Sequence, residues 1–162
     1  FWLKRSLLKS PSSSTSTTRL AMARLLVALW LLGLPLCART QGSLIEAGQG
    51  VTLEVTKAGD GKSFPAVGDT LTMHYTGTLT DNTKFDSSRD RGQPFKFVIG
   101  VHQVIEGWDL GVMKMSLGER AMLHVPSEAG YGAQGAGGVI PPDADLNFDV
   151  ELLKIEKKKP EM

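Results

Sequence analysis

Three histidines, one cysteine and seventeen carboxylates are the side chains through which this sequence could attack a bond, hold a metal or move a proton. Their spacing serves none of these ends. His74, His102 and His124 lack the short intervals that bring two imidazoles to one metal ion. His74 and His124 alternate with apolar neighbours, which turns their rings away from the core or into satisfied contacts. Cys37 lies in the N-terminal region, so the rest of the chain can form no intramolecular disulfide and no thiolate metal site. No Gly-x-Ser-x-Gly elbow occurs. Residues 130–138 are rich in glycine but lead into Val139-Ile140-Pro141-Pro142, whereas a phosphate cradle needs a helix N-terminus behind it. The sequence therefore argues against nucleophilic, metal and nucleotide chemistry and implies no cofactor.

What remains is aromatic. Tyr75, Phe85, Phe95, Trp108, Tyr131 and Phe148 are spread over separate stretches, with Val104, Ile105 and Ile140 beside them. Rings drawn from distant parts of a chain form either an ordinary hydrophobic core or an apolar binding pocket. Composition leaves both open.

The elements that must bring these rings together are mostly strands. Val51, Leu53 and Val55 alternate with polar residues, the period-2 pattern of a half-buried strand. The same pattern recurs in Leu71-Met73-Tyr75, in Phe95-Phe97-Ile99, in Ala121-Leu123-Val125 and in Leu146-Phe148-Val150-Leu152. Gly59-Asp60-Gly61 and Thr80-Asp81-Asn82 supply turn chemistry between them. One stretch departs from alternation: Ile105, Trp108, Val112 and Met115 recur at helical spacing, and Gly118 stands where a helix would stop. The expectation is an α+β domain, a mainly antiparallel sheet with one short helix covering a face.

Charge divides the chain unevenly. Residues 1–42 hold six of the eighteen basic residues and no acid, which leaves twelve basic against seventeen acidic residues in the remainder, a net of −5. Such a body has no electrostatic reason to hold nucleic acid, and the run Lys157-Lys158-Lys159 reads as a solvated end. Residues 10–18 are polar and of low complexity. From Met22 onward a short basic start, an apolar run from Leu25 to Leu36 and small residues near Ala38 and Gly42 have the layout of a signal peptide. That run is short for a membrane span, which needs about 20 apolar residues. Two other readings stand beside it: an organellar transit segment, since the region is rich in Ser, Thr and Arg and free of acid, and an uncleaved anchor or an artefact. The expected location is thus the secretory pathway or ER lumen, with an organelle as the alternative, and the cytoplasm if the segment is an artefact. The expected division is 1–42 as a low-complexity and targeting segment, 43–157 as the domain and 158–162 as a tail.

Particular words in the sequence settle what the rings are for. His74-Tyr75-Thr76-Gly77, Lys84-Phe85-Asp86-Ser87-Ser88-Arg89-Asp90-Arg91, Pro94-Phe95-Lys96-Phe97, Val104-Ile105-Glu106-Gly107-Trp108, Tyr131-Gly132-Ala133, Ile140-Pro141-Pro142 and Phe148-Asp149-Val150-Glu151-Leu152-Leu153 follow one another in this order. From about Gly50 to the C-terminal lysines the chain resembles the FKBP-type peptidyl-prolyl cis/trans isomerases. The resemblance implies a five- or six-stranded antiparallel sheet wrapped round a short helix. It implies Trp108 as a pocket floor, with Tyr75, Phe85, Phe95, Val104, Ile105, Ile140 and Phe148 as walls. It further implies Asp86 and Tyr131 as polar groups at the edge, the Ile105 backbone N–H as a donor, and Arg91 as the partner of Asp86. Three places depart from the best-known small members: Gln103 replaces an acid, Ala136-Gly137 a His-Pro pair and Val139 an isoleucine, all on the pocket rim.

The activity so implied is rotation of X–Pro amides in folding or flexible polypeptides, without a covalent intermediate or cofactor. Macrolides such as tacrolimus and rapamycin are the implied pocket ligands. A monomer without stable membrane insertion is expected, and a peptide-binding or chaperone module of low turnover is the alternative.

Overall fold

The computed structural model of the chain describes residues 43–159. The targeting segment read from residues 1–42 and the last part of the expected tail lie outside the described residues.

Alternating apolar side chains become seven antiparallel strands: β1 (Leu44–Gly48), β2 (Val51–Lys57), β3 (Thr70–Leu79), β4 (Lys84–Ser87), β5 (Phe95–Val98), β6 (Arg120–Val125) and β7 (Leu146–Glu156). The sheet runs in the order β1-β2-β6-β7-β3-β4, and β5 also pairs with β3. The single α-helix among the described residues, α1 (Glu106–Val112), lies between β5 and β6 in sequence. Along β3 each second residue, Leu71, Met73 and Tyr75, is buried, as are Ala121, Leu123 and Val125 in β6 and Leu146, Phe148, Val150 and Leu152 in β7. Register keeps these faces together: Leu123 stands opposite Phe148, and Tyr75 opposite Val150. The five strands read from alternation are all present. β1 and β4 do not stand out in the alternation, because β1 is a short edge strand and β4 carries its polar residues within a four-residue run.

The helix is shorter than its apolar spacing suggests. It ends at Val112, and the chain leaves through tight bonds from Lys114 N–H to Gly111 O (3.0 Å) and from Met115 N–H to Val112 O (3.1 Å). Met115 is still buried, but from a turn, and Gly118 (φ 81°) bends the chain into β6 rather than ending the helix. Two glycines explain how α1 lies so close to the sheet. A Cβ on Gly107 would stand 2.4 Å from Val125 Cγ1, and one on Gly111 would stand 2.3 Å from Leu123 Cδ1. Each glycine costs about 1 kcal/mol of helix propensity relative to alanine, and close approach to β6 is what it provides in return.

The basic run at the end of β7 does more than face solvent. Lys157 Nζ donates to Phe64 O (3.0 Å) and to Asp69 Oδ2 (2.9 Å), and the Lys158 N–H donates to Asp69 Oδ1 (2.9 Å). These bonds tie the last residues of the domain to the turn before β3. The strand histidines are also accounted for, His74 Nδ1 lying 3.0 Å from Ser88 Oγ and His124 Nδ1 2.6 Å from Asn147 Oδ1. Neither is among rings that face the core. No helix among the described residues is long and apolar enough to cross a membrane.

The Gly107→Ala variant should be less stable than wild type by about 1–3 kcal/mol, because branched Val125 cannot swing clear of the new methyl group. Urea denaturation monitored by circular dichroism checks this; an unchanged midpoint would show that α1 is not held by contact at Gly107.

Candidate functional site

Trp108 is the centre of the site. It is held by α1 and has no exposed surface. Four rings surround it: Tyr75 at 5.1 Å between centroids, Phe148 at 5.4 Å, Phe97 at 5.7 Å and Phe95 at 6.0 Å, all edge-on. Edge-to-face contact is the favoured geometry for aromatic pairs, since it sets a ring's positive edge against a negative face. Each neighbour comes from a different strand or register position: Tyr75 from β3, Phe148 from β7, and Phe95 and Phe97 from β5. Phe97 was not singled out by the sequence reading, although its alternation with Phe95 was the available signal. Its ring stacks on Phe95 at 5.3 Å.

Phe85 extends the ring cluster, edge-on to Phe148 at 5.7 Å. Space for it exists because the next inward position of β3 after Tyr75 is Gly77, where a Cβ would lie 2.6 Å from the Phe85 ring and 3.0 Å from that of Phe148. Val104 and Ile105 are buried immediately before the helix, and Ile105 serves as its N-cap with φ −62° and ψ 151°. Ile140 is buried at the far side of the loop after β6. A small cleft lies above, bounded by Phe85, Asp86, Ala136, Gly137, Val139 and Ile140. Trp108, fully buried, is not among these residues.

The polar edge is one connected group. The Tyr75 hydroxyl donates to Asp86 Oδ2, and Arg91 Nη1 donates to Asp86 Oδ1. Arg91 Nη2 donates to the Tyr75 oxygen at 3.0 Å, and the guanidinium carbon stands 5.7 Å from the Tyr75 ring centroid. Burial pushes the Asp86 carboxyl up, but the Tyr75 hydroxyl and the Arg91 guanidinium outweigh it and hold the group below the usual carboxylate range. Burial, reinforced by Asp86, pushes the Tyr75 hydroxyl up to about 12. Burial also raises Tyr131, and the neighbouring Tyr75 and Asp86 add to this. The edge thus consists of an ionised carboxylate and two neutral phenols near neutral pH.

The departures noted in the sequence have structural counterparts. Gln103 accepts the Val98 N–H through Oε1 at 2.9 Å. Ala136 and Ile140 form a bridge, with Ala136 N–H donating to Ile140 O and Ile140 N–H to Ala136 O, both at 3.0 Å. Between them Gly137 and Gly138 take φ 56° and 70°, and Val139 is left exposed at the tip. Proline is confined to φ near −65°, so a His-Pro pair could not follow this path at 137.

An antiparallel sheet packed on one short helix, with a buried tryptophan among four rings and an Asp–Tyr–Arg group beside them, is the class of domain that the sequence resemblance implies. Comparison with known proteins gives the same class. Residues 61–153 match the family model described as FKBP-type peptidyl-prolyl cis-trans isomerase. The chain is 58% identical over 106 residues to FK506-binding protein 1 of Yarrowia lipolytica, an alignment covering 65% of this chain and 98% of the relative. It is 58% identical over 110 residues to the peptidyl-prolyl cis-trans isomerase of Schizosaccharomyces pombe, covering 68% and 98%. With the Drosophila melanogaster peptidyl-prolyl cis-trans isomerase Fkbp12 it shares 55% over 107 residues, covering 66% and 99%. The chain belongs to the FKBP-type peptidyl-prolyl cis-trans isomerase family, and its function is that of a peptidyl-prolyl isomerase.

The Asp86 contact has a definite pH signature. Its folded pKa lies below the unfolded value, so its contribution is complete above the unfolded pKa and is lost as pH falls through the folded one. As pH falls below the ordinary carboxylate pKa of about 4 the wild type should lose stability more steeply than Asp86→Asn, and urea melts at several pH values would show it. Parallel curves would mean that Asp86 is no better stabilised as an anion in the folded chain than in the unfolded one.

Proposed function

We propose that the cluster around Trp108 is the isomerisation site, and that an X–Pro segment enters it past Phe85 and Ile140 with the proline ring over the indole. The observation that carries this reading is the tryptophan enclosed by four edge-on rings, one of which, Phe148, packs on Phe85 in the cleft whose rim holds Asp86. Rotation about an X–Pro amide is slow because resonance gives the bond double character, with a barrier near 18–20 kcal/mol. The planar amide is dipolar, and the twisted one has lost that conjugation. An apolar site therefore penalises the ground state more than the transition state, the differential binding that catalysis requires. Trp108, Phe85, Phe95 and Phe148 supply this environment. The Ile105 N–H and the Tyr131 hydroxyl orient the substrate carbonyls, and Asp86, fixed by Tyr75 and Arg91, acts through its charge at the edge.

The substrates under this reading are folding or flexible polypeptides, whose X–Pro bonds otherwise take tens to hundreds of seconds to isomerise. Tacrolimus and rapamycin occupy the same pocket. Three relatives carry the name FK506-binding protein 1, which supports this ligand class. The protein works as a monomer, and its N-terminal segment directs it to the secretory pathway; both parts of this reading rest on the sequence. One feature favours a binding or chaperone module of low turnover instead: the glycine-rich rim from Ala136 to Val139, which differs from the best-known members where substrate enters.

The test is the isomerisation rate of a short X–Pro peptide with and without tacrolimus. Acceleration abolished by the drug supports the isomerase reading, whereas binding without acceleration supports the module. Phe85→Ala should lower kcat/KM about tenfold or more, equivalent to about 1.4 kcal/mol, and weaken the drug in parallel. Unchanged values for both would remove Phe85 from the wall.

A further inference from the structure

One side chain that the sequence reading did not single out lies directly behind the site. Asp109 follows Trp108 in α1 and is 5% exposed, although aspartate is among the residues least often buried. Its Oδ1 accepts the Gly100 N–H at 2.8 Å and its Oδ2 accepts the His102 N–H at 3.1 Å. Both donors belong to the segment 100–104 that runs from the end of β5 to Ile105. Both are left-handed, with φ 75° at Gly100 and φ 57° at His102. His102 has a side chain, so this backbone persists only where its surroundings hold it. A carboxylate is costly to bury unless hydrogen-bonded, and here its two oxygens each meet one loop N–H. His102 itself points outward, with Nδ1 3.7 Å from Asp109 Oδ2. Gln103 adds a second tie from the same segment through Val98. The segment ends in Val104 and Ile105, both buried in the hydrophobic core that also holds Tyr75, Phe97, Trp108 and Phe148.

We propose that Asp109 is a positioning residue for the isomerisation: by holding Gly100 and His102 it fixes the segment that ends in the Val104 wall and the Ile105 N–H. The inference rests on the pocket assignment made above. Helix packing alone would be served as well by an apolar side chain, whereas two loop N–H groups converging on one helix residue require an acceptor with two arms. Asparagine offers one oxygen and turns an NH2 group toward the second N–H. Glutamate keeps both oxygens on a longer stem.

The test compares full-length wild type with Asp109→Asn, Asp109→Glu and Asp69→Asn. Asp69 is a second buried carboxylate that holds backbone N–H groups, those of Ala66 and Lys158 at 2.9 Å each, so its variant reports what loosening such a group does to the fold alone. Three quantities are read: kcat/KM on an X–Pro peptide, the thermal midpoint and the Ile105 amide chemical shift. Asp109→Asn should move the Ile105 amide and lower kcat/KM by between about tenfold and a hundredfold, and Asp109→Glu should stand closer to wild type. Asp69→Asn should lower the midpoint while leaving kcat/KM unchanged. Where Asp109→Asn does not fold, Asp109→Ser is read in the same way. An Ile105 amide that does not move, or equal loss of activity in Asp69→Asn, overturns the positioning role and leaves the pocket assignment standing. An Ile105 amide that moves without change in kcat/KM removes Ile105 from the reaction, and the proposal falls with that assignment.

Discussion

The packing of one indole ring against four others is the contact on which the remaining structure depends. Trp108 is the largest fully buried side chain among the described residues. Its neighbours come from β3, β5 and β7, so a single helix residue joins strands that are distant in sequence. The helix reaches this depth because Gly107 and Gly111 let its backbone approach Val125 and Leu123. Phe85 reaches the same cluster because Gly77 leaves room in β3. The indole N–H is buried with no hydrogen-bond acceptor among the described residues, and an unmet donor of this kind typically costs about 1–3 kcal/mol. Departures from local optimality are expected where a site has to be apolar for its function.

Around this apolar centre the charged groups are arranged to stay fixed rather than to exchange protons. Asp86 accepts from both Tyr75 and Arg91, which stabilises its anion and confines its position. The phenols beside it are raised well away from neutrality. A site that worked by general acid–base catalysis would hold a group poised near the working pH; this one holds its groups away from it. The arrangement suits a reaction in which no bond is made or broken, only rotated.

Much of this was legible in the sequence, for physical reasons that differ from part to part. Strict alternation identified five strands, because a sheet with one buried face imposes a period of two. The ring cluster and the Asp86–Arg91 pair were legible through the resemblance of particular words, not through spacing. The edge strands β1 and β4 escaped notice, since a short strand with polar positions leaves too little pattern to count. The helix was overextended to Met115, because apolar spacing continues into the turn that follows Val112 while the hydrogen bonding tightens. Asp109 was passed over for a related reason: an acidic residue in the first turn of a helix reads as an ordinary surface charge, and its burial arises only from the fold of residues 100–104. The path of the rim loop likewise depends on the left-handed conformation at Gly137 and Gly138, which glycine permits but does not dictate.

The central claim is that this pocket accelerates rotation by its apolar environment and fixed charge, with no proton transferred. Its most direct test is kcat/KM on an X–Pro peptide across about pH 6 to about pH 9, in ordinary and heavy water. The account predicts a flat profile and a solvent isotope ratio near unity, because Asp86 stays ionised and the phenols of Tyr75 and Tyr131 stay neutral throughout. A bell-shaped profile, or a rate that falls about twofold or more in heavy water, would contradict it.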